Sequence, residues 1–554
     1  MTNKYKMEDD VRVKDKKKFF RFVILLTIFI FTISCGMKRF VFNDEPKKSE
    51  MVSDEIKVDV LSLNKPEGNK ELKKKDLSME EGRTDSIKSI PPIQEEKTIN
   101  LKEEVKAENI EVKKIESPVE TVPADTNFKY IKNQTLFVYR DETQKEKIDT
   151  LRKGTRVDIL ESKAIEVNGK KKEILKIAYR KDLKAKKGWI TKVDLANSLN
   201  EVLPANWKNL DFKTSYVTNN FPNNPRVDVK GVYLNIYTIG SSKKMEKLIN
   251  LANTTEINAF VIDIKDDNGV LSFEMEAPKK FGIPVSKNYP IKNIGEFMKK
   301  MKENNIYTIA RIVSFKDPTY AKANPDKVIT SRDTGKPYTN SDGIIWVSAH
   351  DRNLWEYNLA VAEEAAKAGF NEIQFDYVRF PASNGGKLDS KLNYRNTKNE
   401  SKPETIQKYL KYARERLNAL GVYTSADVYG QVGTFGDDMG LGQYWESVTQ
   451  VVDYISPMMY PSHYGNGAYG ISVPDAQPYK TIYHSVKDSI NRNENVESPA
   501  TIRPWIQAFT AKWVKGYIPY NEKEIREQIK AMNDLGVTEY LLWSPSNNYK
   551  VTGK

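Results

Sequence analysis

Gly369-Phe-Asn-Glu-Ile-Gln-Phe-Asp-Tyr-Val-Arg-Phe-Pro381 is the stretch that decides the fold. Upstream of it Leu354, Tyr357, Ala360, Val361 and Ala365 recur at helical spacing, and Gly369 stops the pattern. Immediately afterwards Glu372-Ile-Gln-Phe-Asp-Tyr377 is a short, mostly apolar run of strand length. A helix handing over directly to a buried strand is half of a βα unit. Seven further runs of the same kind follow one another from about Arg226: Gly231-Val-Tyr-Leu-Asn235, Ala259-Phe-Val-Ile-Asp-Ile264, Tyr307-Thr-Ile-Ala-Arg-Ile-Val313, Val422-Tyr-Thr-Ser-Ala-Asp-Val428, Tyr454-Ile-Ser-Pro-Met-Met-Tyr460, Thr501-Ile-Arg-Pro-Trp-Ile-Gln507 and Tyr540-Leu-Leu-Trp-Ser544. Eight strands alternating with helical stretches predict an α/β chain closed into a (β/α)8 TIM barrel over residues 201–554. The extra length falls after strands 3 and 4, at the end of the barrel where loops build a cleft.

Strand alternation turns this reading into chemistry. With Ile373, Phe375 and Tyr377 on one face, Gln374 and Asp376 share the other, and Asp376 is expected to face the lumen. By the same parity Asp427 ends strand 5 in line with Ser425 and Tyr423, and Asp263 and Lys265 lie on one side of strand 2. Carboxylates converging on one rim of a barrel are costly unless they are paired, hydrogen-bonded or solvated. Glycoside hydrolysis gives them a use, because one carboxyl must donate a proton while its neighbour stays ionised. The plainer alternative pairs Asp376 with Arg379 and lets Asp427 accept loop N–H groups.

The rest of the rim suits a sugar. Arg311 is placed to neutralise or orient a carboxylate, with core ion pairing as the alternative. Tyr460, His463, Tyr464, Trp505, Gln507 and Trp543 fall at or just beyond strands 6, 7 and 8, where flat aromatic faces and neutral hydrogen-bonding groups fit a saccharide or, more plainly, pack the barrel. With Asp263, Lys265, Arg311, Gln374 and Arg379 they form the expected substrate-binding set around the catalytic pair. The three histidines are scattered, and Asp263, Asp266, Asp267 and Asn268, which could hold Ca²⁺ in a loop, lack EF-hand spacing and are expected to serve substrate or solvent instead, so neither a metal nor a cofactor is expected. Phosphate-cradling glycine loops, a Gly-x-Ser-x-Gly elbow and a Cys/His pair are missing as well, which ranks nucleotide and acyl-enzyme chemistry low.

At 554 residues the chain is too long for one domain, and its net charge of +13 is unevenly distributed. Residues 127–200 carry 19 basic and 10 acidic side chains, residues 38–125 carry 17 and 21, and the barrel is close to balanced. Nucleic acid is therefore not an expected partner. Residues 127–200 read as a small all-β module, with Thr135-Leu-Phe-Val-Tyr-Arg140, Arg156-Val-Asp-Ile-Leu160, Glu173-Ile-Leu-Lys-Ile-Ala-Tyr179 and Gly188-Trp-Ile-Thr-Lys192 separated by turns at Lys153-Gly154 and Asn168-Gly169. Residues 38–126 are rich in Lys and Glu, have no aromatic residue after Phe42, and read as a disordered charged tether. In residues 1–37, Lys14-Asp-Lys-Lys-Lys18 precedes the 13-residue apolar run Phe22–Ser34, followed by Cys35, the one cysteine of the chain. That is export-signal grammar, and it leaves no intrachain disulfide to form.

Three resemblances add to this reading. Thr255–Asp267, Ile309–Pro318, Gly369–Pro381, Ser425-Ala-Asp-Val-Tyr-Gly430 and Ile455–Tyr464 together resemble the bacterial "putative glycosyl hydrolase domain" family, barrels distantly similar to the α-amylase-like superfamily. The resemblance implies a (β/α)8 hydrolase with a nucleophile at the end of strand 4, which falls on Asp376, and an acid/base at the end of strand 5, which falls on Asp427. Two departures stand out: strand 5 offers Asp where Glu is usual, and Gln374 replaces an arginine two residues before the nucleophile. Leu151-Arg-Lys-Gly-Thr-Arg-Val157 and Lys187-Gly-Trp-Ile190 resemble a bacterial SH3 domain, implying docking to a cell-wall or envelope polymer, with a spacer role as the alternative. Thr32-Ile33-Ser34 before Cys35 resembles a lipobox, implying lipidation of Cys35 and a membrane-anchored, extracytoplasmic protein. An uncleaved signal anchor is the alternative and leads to the same side of the membrane. The expected function is hydrolysis of an envelope or extracellular polysaccharide; a non-catalytic glycan-binding lipoprotein and a purely structural envelope protein are the rivals.

Overall fold

The barrel strands are buried on both faces, against the helices outside and against one another in the lumen, which is why they read as mostly apolar runs. The computed structural model describes residues 128–167, 170–192, 195–340 and 343–553. The candidate signal 1–37 with Cys35, the tether 38–126 and the Asn168-Gly169 turn lie outside the described residues. Among the described residues no helix is long and apolar enough to cross a membrane.

The module from Phe128 to Ala196 is all β, as its alternating short runs predict. Seven strands form one antiparallel sheet, dominated by the long pair Arg156–Val167 and Lys170–Lys181. Its core is small: Ile131, Val138, Val157, Ile177 and Ile190 are fully or almost fully buried. Trp189 lies beneath the ammonium groups of Lys163 and Lys176, which sit 5.1 and 5.7 Å from its ring. The module rests on the side of the barrel through Tyr130, whose hydroxyl donates to the Asn495 carbonyl over 3.2 Å, and through an Arg180–Glu494 ion pair of 3.1 Å.

The barrel strands are Lys230–Leu234, Ala259–Lys265, Tyr307–Val313, Glu372–Asp376, Tyr423–Tyr429, Tyr454–Met459, the interrupted seventh strand Thr501–Ile502 with Trp505–Gln507, and Tyr540–Trp543. All pair in parallel, and the eighth closes on the first through Leu541 opposite Gly231. A Cβ at Gly231 would lie 2.6 Å from Leu541 Cδ2, so a larger residue there would have to displace the Leu541 side chain. Helices such as Arg352–Ala368, capped by Asp351 and ended by Gly369 at φ 108°, cover the outside. This is the (β/α)8 barrel that the sequence predicts.

Phe260, Ile262, Ile312, Phe375 and Val428 join the layer between strands and helices, whereas Val261, Ile309, Tyr423, Tyr454 and Trp505 fill the lumen. Low in the lumen Arg503 bridges Glu372 and Glu539 at 2.8 and 2.7 Å and lies 3.6 Å from the Tyr454 ring. Three fully or largely buried charges in mutual contact close the lower barrel. At the opposite end, the long loops after strands 3 and 4 are pinned to each other by a short antiparallel ribbon, Thr330–Ser331 with Leu392–Asn393.

Candidate active site

Strand 4 delivers Asp376 to the upper rim, and the backbone changes direction immediately after it. Tyr377 has φ 47°, a left-handed conformation that a bulky side chain adopts only under constraint. Its N–H donates to Asp376 Oδ1 over 2.5 Å. The other carboxylate oxygen accepts from Arg311 Nε and Nη2 at 2.9 and 2.6 Å. Arg311 comes from strand 3, in register with Gln374, and its third nitrogen reaches Asp263 Oδ1 of strand 2 over 2.5 Å. Asp267 lies 3.4 Å from Arg311 and 3.7 Å from Lys316. Asp376 therefore has Arg311, not Arg379, as its cation.

Asp427 sits on strand 5, 1% exposed, and accepts the indole N–H of Trp505 over 2.7 Å. Burial, with the charge of Asp376 second, pushes its carboxyl well above the usual carboxylate range, although the Trp505 bond and Arg311 pull it down. Burial likewise raises Asp263 to about 6, against the opposing pull of Arg311 and of Tyr233, whose hydroxyl donates to Asp263 Oδ2 over 2.5 Å. The rim thus holds one carboxylate tightly matched by a guanidinium and a second carboxyl in a setting that favours its protonated form. The two carboxyl groups differ in setting: Asp376 is bonded to a guanidinium and a backbone N–H, and Asp427 is buried with a single indole N–H.

Aromatic rings line the side of the rim formed by strands 6, 7, 8 and 1. Tyr460 packs 5.5 Å from Trp543, and Tyr233 lies 6.4 Å from both Trp543 and Trp505. The His463 ring meets Tyr460 at 5.2 Å, and burial lowers its pKa to about 4, so it is neutral at pH 7. Its Nδ1 lies 3.0 Å from Ser462 Oγ.

Four expected members stand apart from this cluster. Lys265 does not share a face with Asp263: a bulge makes Asp263 oppose Arg311 but Lys265 oppose the outward-facing Ile312. The Lys265 ammonium is turned to the helix layer, fully buried, where it bonds Asp317 at 2.6 Å and Asn358 at 2.7 Å. Tyr464 turns away to the hydroxyl of Ser485 at 2.7 Å, in the helix Pro478–Asn493. Gln507 is consumed by the loops: it bonds Asp475 at 2.9 Å and accepts the Ser462 N–H at 3.0 Å. Arg379 donates to the Phe380 carbonyl and lies 4.7, 5.2 and 4.9 Å from the rings of Trp346, Tyr377 and Tyr429, which makes it a clamp for the loop after strand 4.

Gln374 faces the lumen one layer below Asp376, fully buried, with Nε2 3.4 Å from Ser456 Oγ and no hydrogen-bond partner for Oε1. Tyr233 belongs to the site although the sequence reading did not select it, and Asp267, expected there only as one of an acidic loop cluster, joins it through Arg311 and Lys316. Tyr233 carried a signal, since it shares the lumen parity of Gly231. Asp267 was legible only as part of its acidic cluster, because which of those side chains turns to Arg311 depends on the loop after the bulge. Among the described residues no group of three or more His, Cys, Asp or Glu side chains is arranged to hold a metal ion.

A family model described as "Putative glycosyl hydrolase domain" matches residues 231–549. No curated protein matches the chain. Among solved structures, a hypothetical protein from Ruminiclostridium thermocellum is 37% identical over 36% of this chain and 97% of its own, with a TM-score of 0.31. The PgaB (BpsB) glycoside hydrolase domain from Bordetella bronchiseptica is 13% identical, covering 58% of this chain and 94% of its own, with a TM-score of 0.41. An alpha-galactosidase from Thermus thermophilus is 13% identical over 71% and 74%, with a TM-score of 0.39.

Proposed function

Because the chain belongs to the glycosyl hydrolase domain family whose model spans residues 231–549, we propose that Asp376 and Asp427 are the carboxyl pair with which it cleaves a polysaccharide. The observation that carries this reading is the unequal setting of the two acids. Desolvation and the charge of Asp376 push the Asp427 carboxyl upward, toward the protonated form that can donate to the glycosidic oxygen as the bond breaks. Asp376, fixed by Arg311 on one side and the Tyr377 N–H on the other, presents its negative charge to the anomeric carbon or to a water molecule. Asp263 and Tyr233 hold Arg311 in place, and Trp505 holds Asp427.

The aromatic wall of Tyr233, Tyr460 and Trp543 supports a carbohydrate substrate, because pyranose rings present flat apolar faces to such surfaces. The basic β module fits contact with an anionic envelope polymer. The Lys-rich start and the apolar run before Cys35 fit a membrane-anchored, extracytoplasmic lipoprotein. The test is to incubate the full chain and its Asp376→Asn variant with N-acetylglucosamine polymers, their de-N-acetylated forms and α-glucans. New reducing ends released by the wild type alone support the reading. Equal glycan binding by both chains with no cleavage by either supports a binding protein instead.

A further inference from the structure

The rim is chemically lopsided. Across strands 2, 3 and 4 it is charged, with Asp263, Arg311 and Asp376 in one network. Across strands 6, 7, 8 and 1 it is aromatic, and the rings continue well past the carboxyl pair. Trp505, bonded to Asp427, lies 6.4 Å from Tyr233, which stacks at 6.4 Å and 25° on Trp543. Trp543 meets the Phe509 edge at 5.1 Å, and Phe509 stacks at 5.8 Å and 18° on Trp513. Trp513 is 46% exposed, so the row of rings that starts beside Asp427 ends on an indole open to solvent. The neutral His463 ring stands edge-on to it at 6.4 Å and 88°.

We propose that Trp513, backed by Phe509, is an outlying sugar subsite, and that the substrate is a chain of several sugar residues running from Asp427 across strands 1, 8 and 7 to this indole. The inference rests on the glycoside hydrolase reading and adds length and direction to it. An exposed indole stacked on another ring offers a rigid apolar platform at little conformational cost, suited to the C–H face of a pyranose. Continuity with the carboxyl pair commits the occupant to the same glycan chain that is cleaved. The opposite side, where three buried charges are already matched to one another, offers no comparable platform.

The test uses the full chain carrying Asp376→Asn, titrated calorimetrically with chitohexaose, its de-N-acetylated counterpart and maltohexaose, and with the matching disaccharides. At least one hexasaccharide is expected to bind more tightly than its disaccharide. Adding Trp513→Ala should weaken that hexasaccharide about fivefold, and Trp513→Tyr should restore most of the loss. Leu420→Ala, which removes an apolar side chain 45% exposed just before strand 5, at the opposite end of the barrel, serves as the control for exposed apolar surface and should match the parent. The proposal is overturned if Trp513→Ala binds the hexasaccharide as the parent does, if a disaccharide binds as tightly as its hexasaccharide, or if no hexasaccharide binds. A wild-type chain that shows the Trp513 dependence yet cleaves nothing would instead remove the hydrolase reading and leave the subsite standing.

Discussion

The indole N–H of Trp505 reaches Asp427 Oδ1 across 2.7 Å of buried lumen, joining strand 7 to strand 5 at the level of the proposed chemistry. This bond stabilises the ionised carboxyl, while burial and the charge of Asp376 work against it.

Trp505→Phe should therefore move the Asp427 pKa further upward. A general acid is active only while protonated, so the alkaline limb of the cleavage profile should shift to higher pH, by about one pH unit for a lost bond to a charged group. A pH–rate profile of the variant checks this, and a limb that stays in place or moves downward would contradict the role given to Asp427.

Arg311 is the cation shared by Asp263 and Asp376, with Asp267 nearby. Arg311→Met leaves these carboxylates together without their partner and should cost about 3–5 kcal/mol of stability at pH 7. Urea unfolding should show a smaller loss at pH 5, where Asp263 takes up a proton.

Asp263 also sets a pH slope in the wild type. Its folded-state pKa, about 6, lies above that of the unfolded chain, so the folded state binds the proton more tightly. Its contribution is thus fully present below pH 4 and is lost as the pH rises through 6. Asp263→Asn should remove this part of the slope, which unfolding midpoints between pH 4.5 and 7.5 would reveal as a flatter curve than that of the wild type.

Gly430 follows strand 5 at a close crossing. A Cβ there would lie 2.6 Å from the Met458 carbonyl oxygen and 2.7 Å from the Tyr464 hydroxyl. Since the nearer atom is backbone and cannot swing aside, Gly430→Ala should cost about 1–3 kcal/mol, measurable as a lowered Tm.

How far the site could be read from sequence depends on how regular each strand is. Asp376, Asp427, Asp263 and Trp505 all face the lumen because alternation holds along their strands as far as each of them, and the eight-fold repeat of strand and helix was visible for the same reason. Lys265 escaped the rule at a single bulge that parity counting cannot detect. Tyr464 and Gln507 carry polar groups that suit a saccharide, yet Ser485 and Asp475 from distant segments use them. Tyr233 was legible by parity but overlooked, since a tyrosine in an apolar run looks like core. Trp513 and Phe509 lie in a loop beyond strand 7, where no periodicity says which way a ring turns.

If Asp376 and Asp427 act together on a glycosidic bond, reducing-end release by the full chain, compared with Asp376→Asn and Asp427→Asn on the polysaccharide that the wild type cleaves, will depend on both. Loss of about 10²–10⁴-fold in rate in each variant, with folding and glycan binding kept, is the predicted result. Cleavage by either variant at the wild-type rate would contradict it.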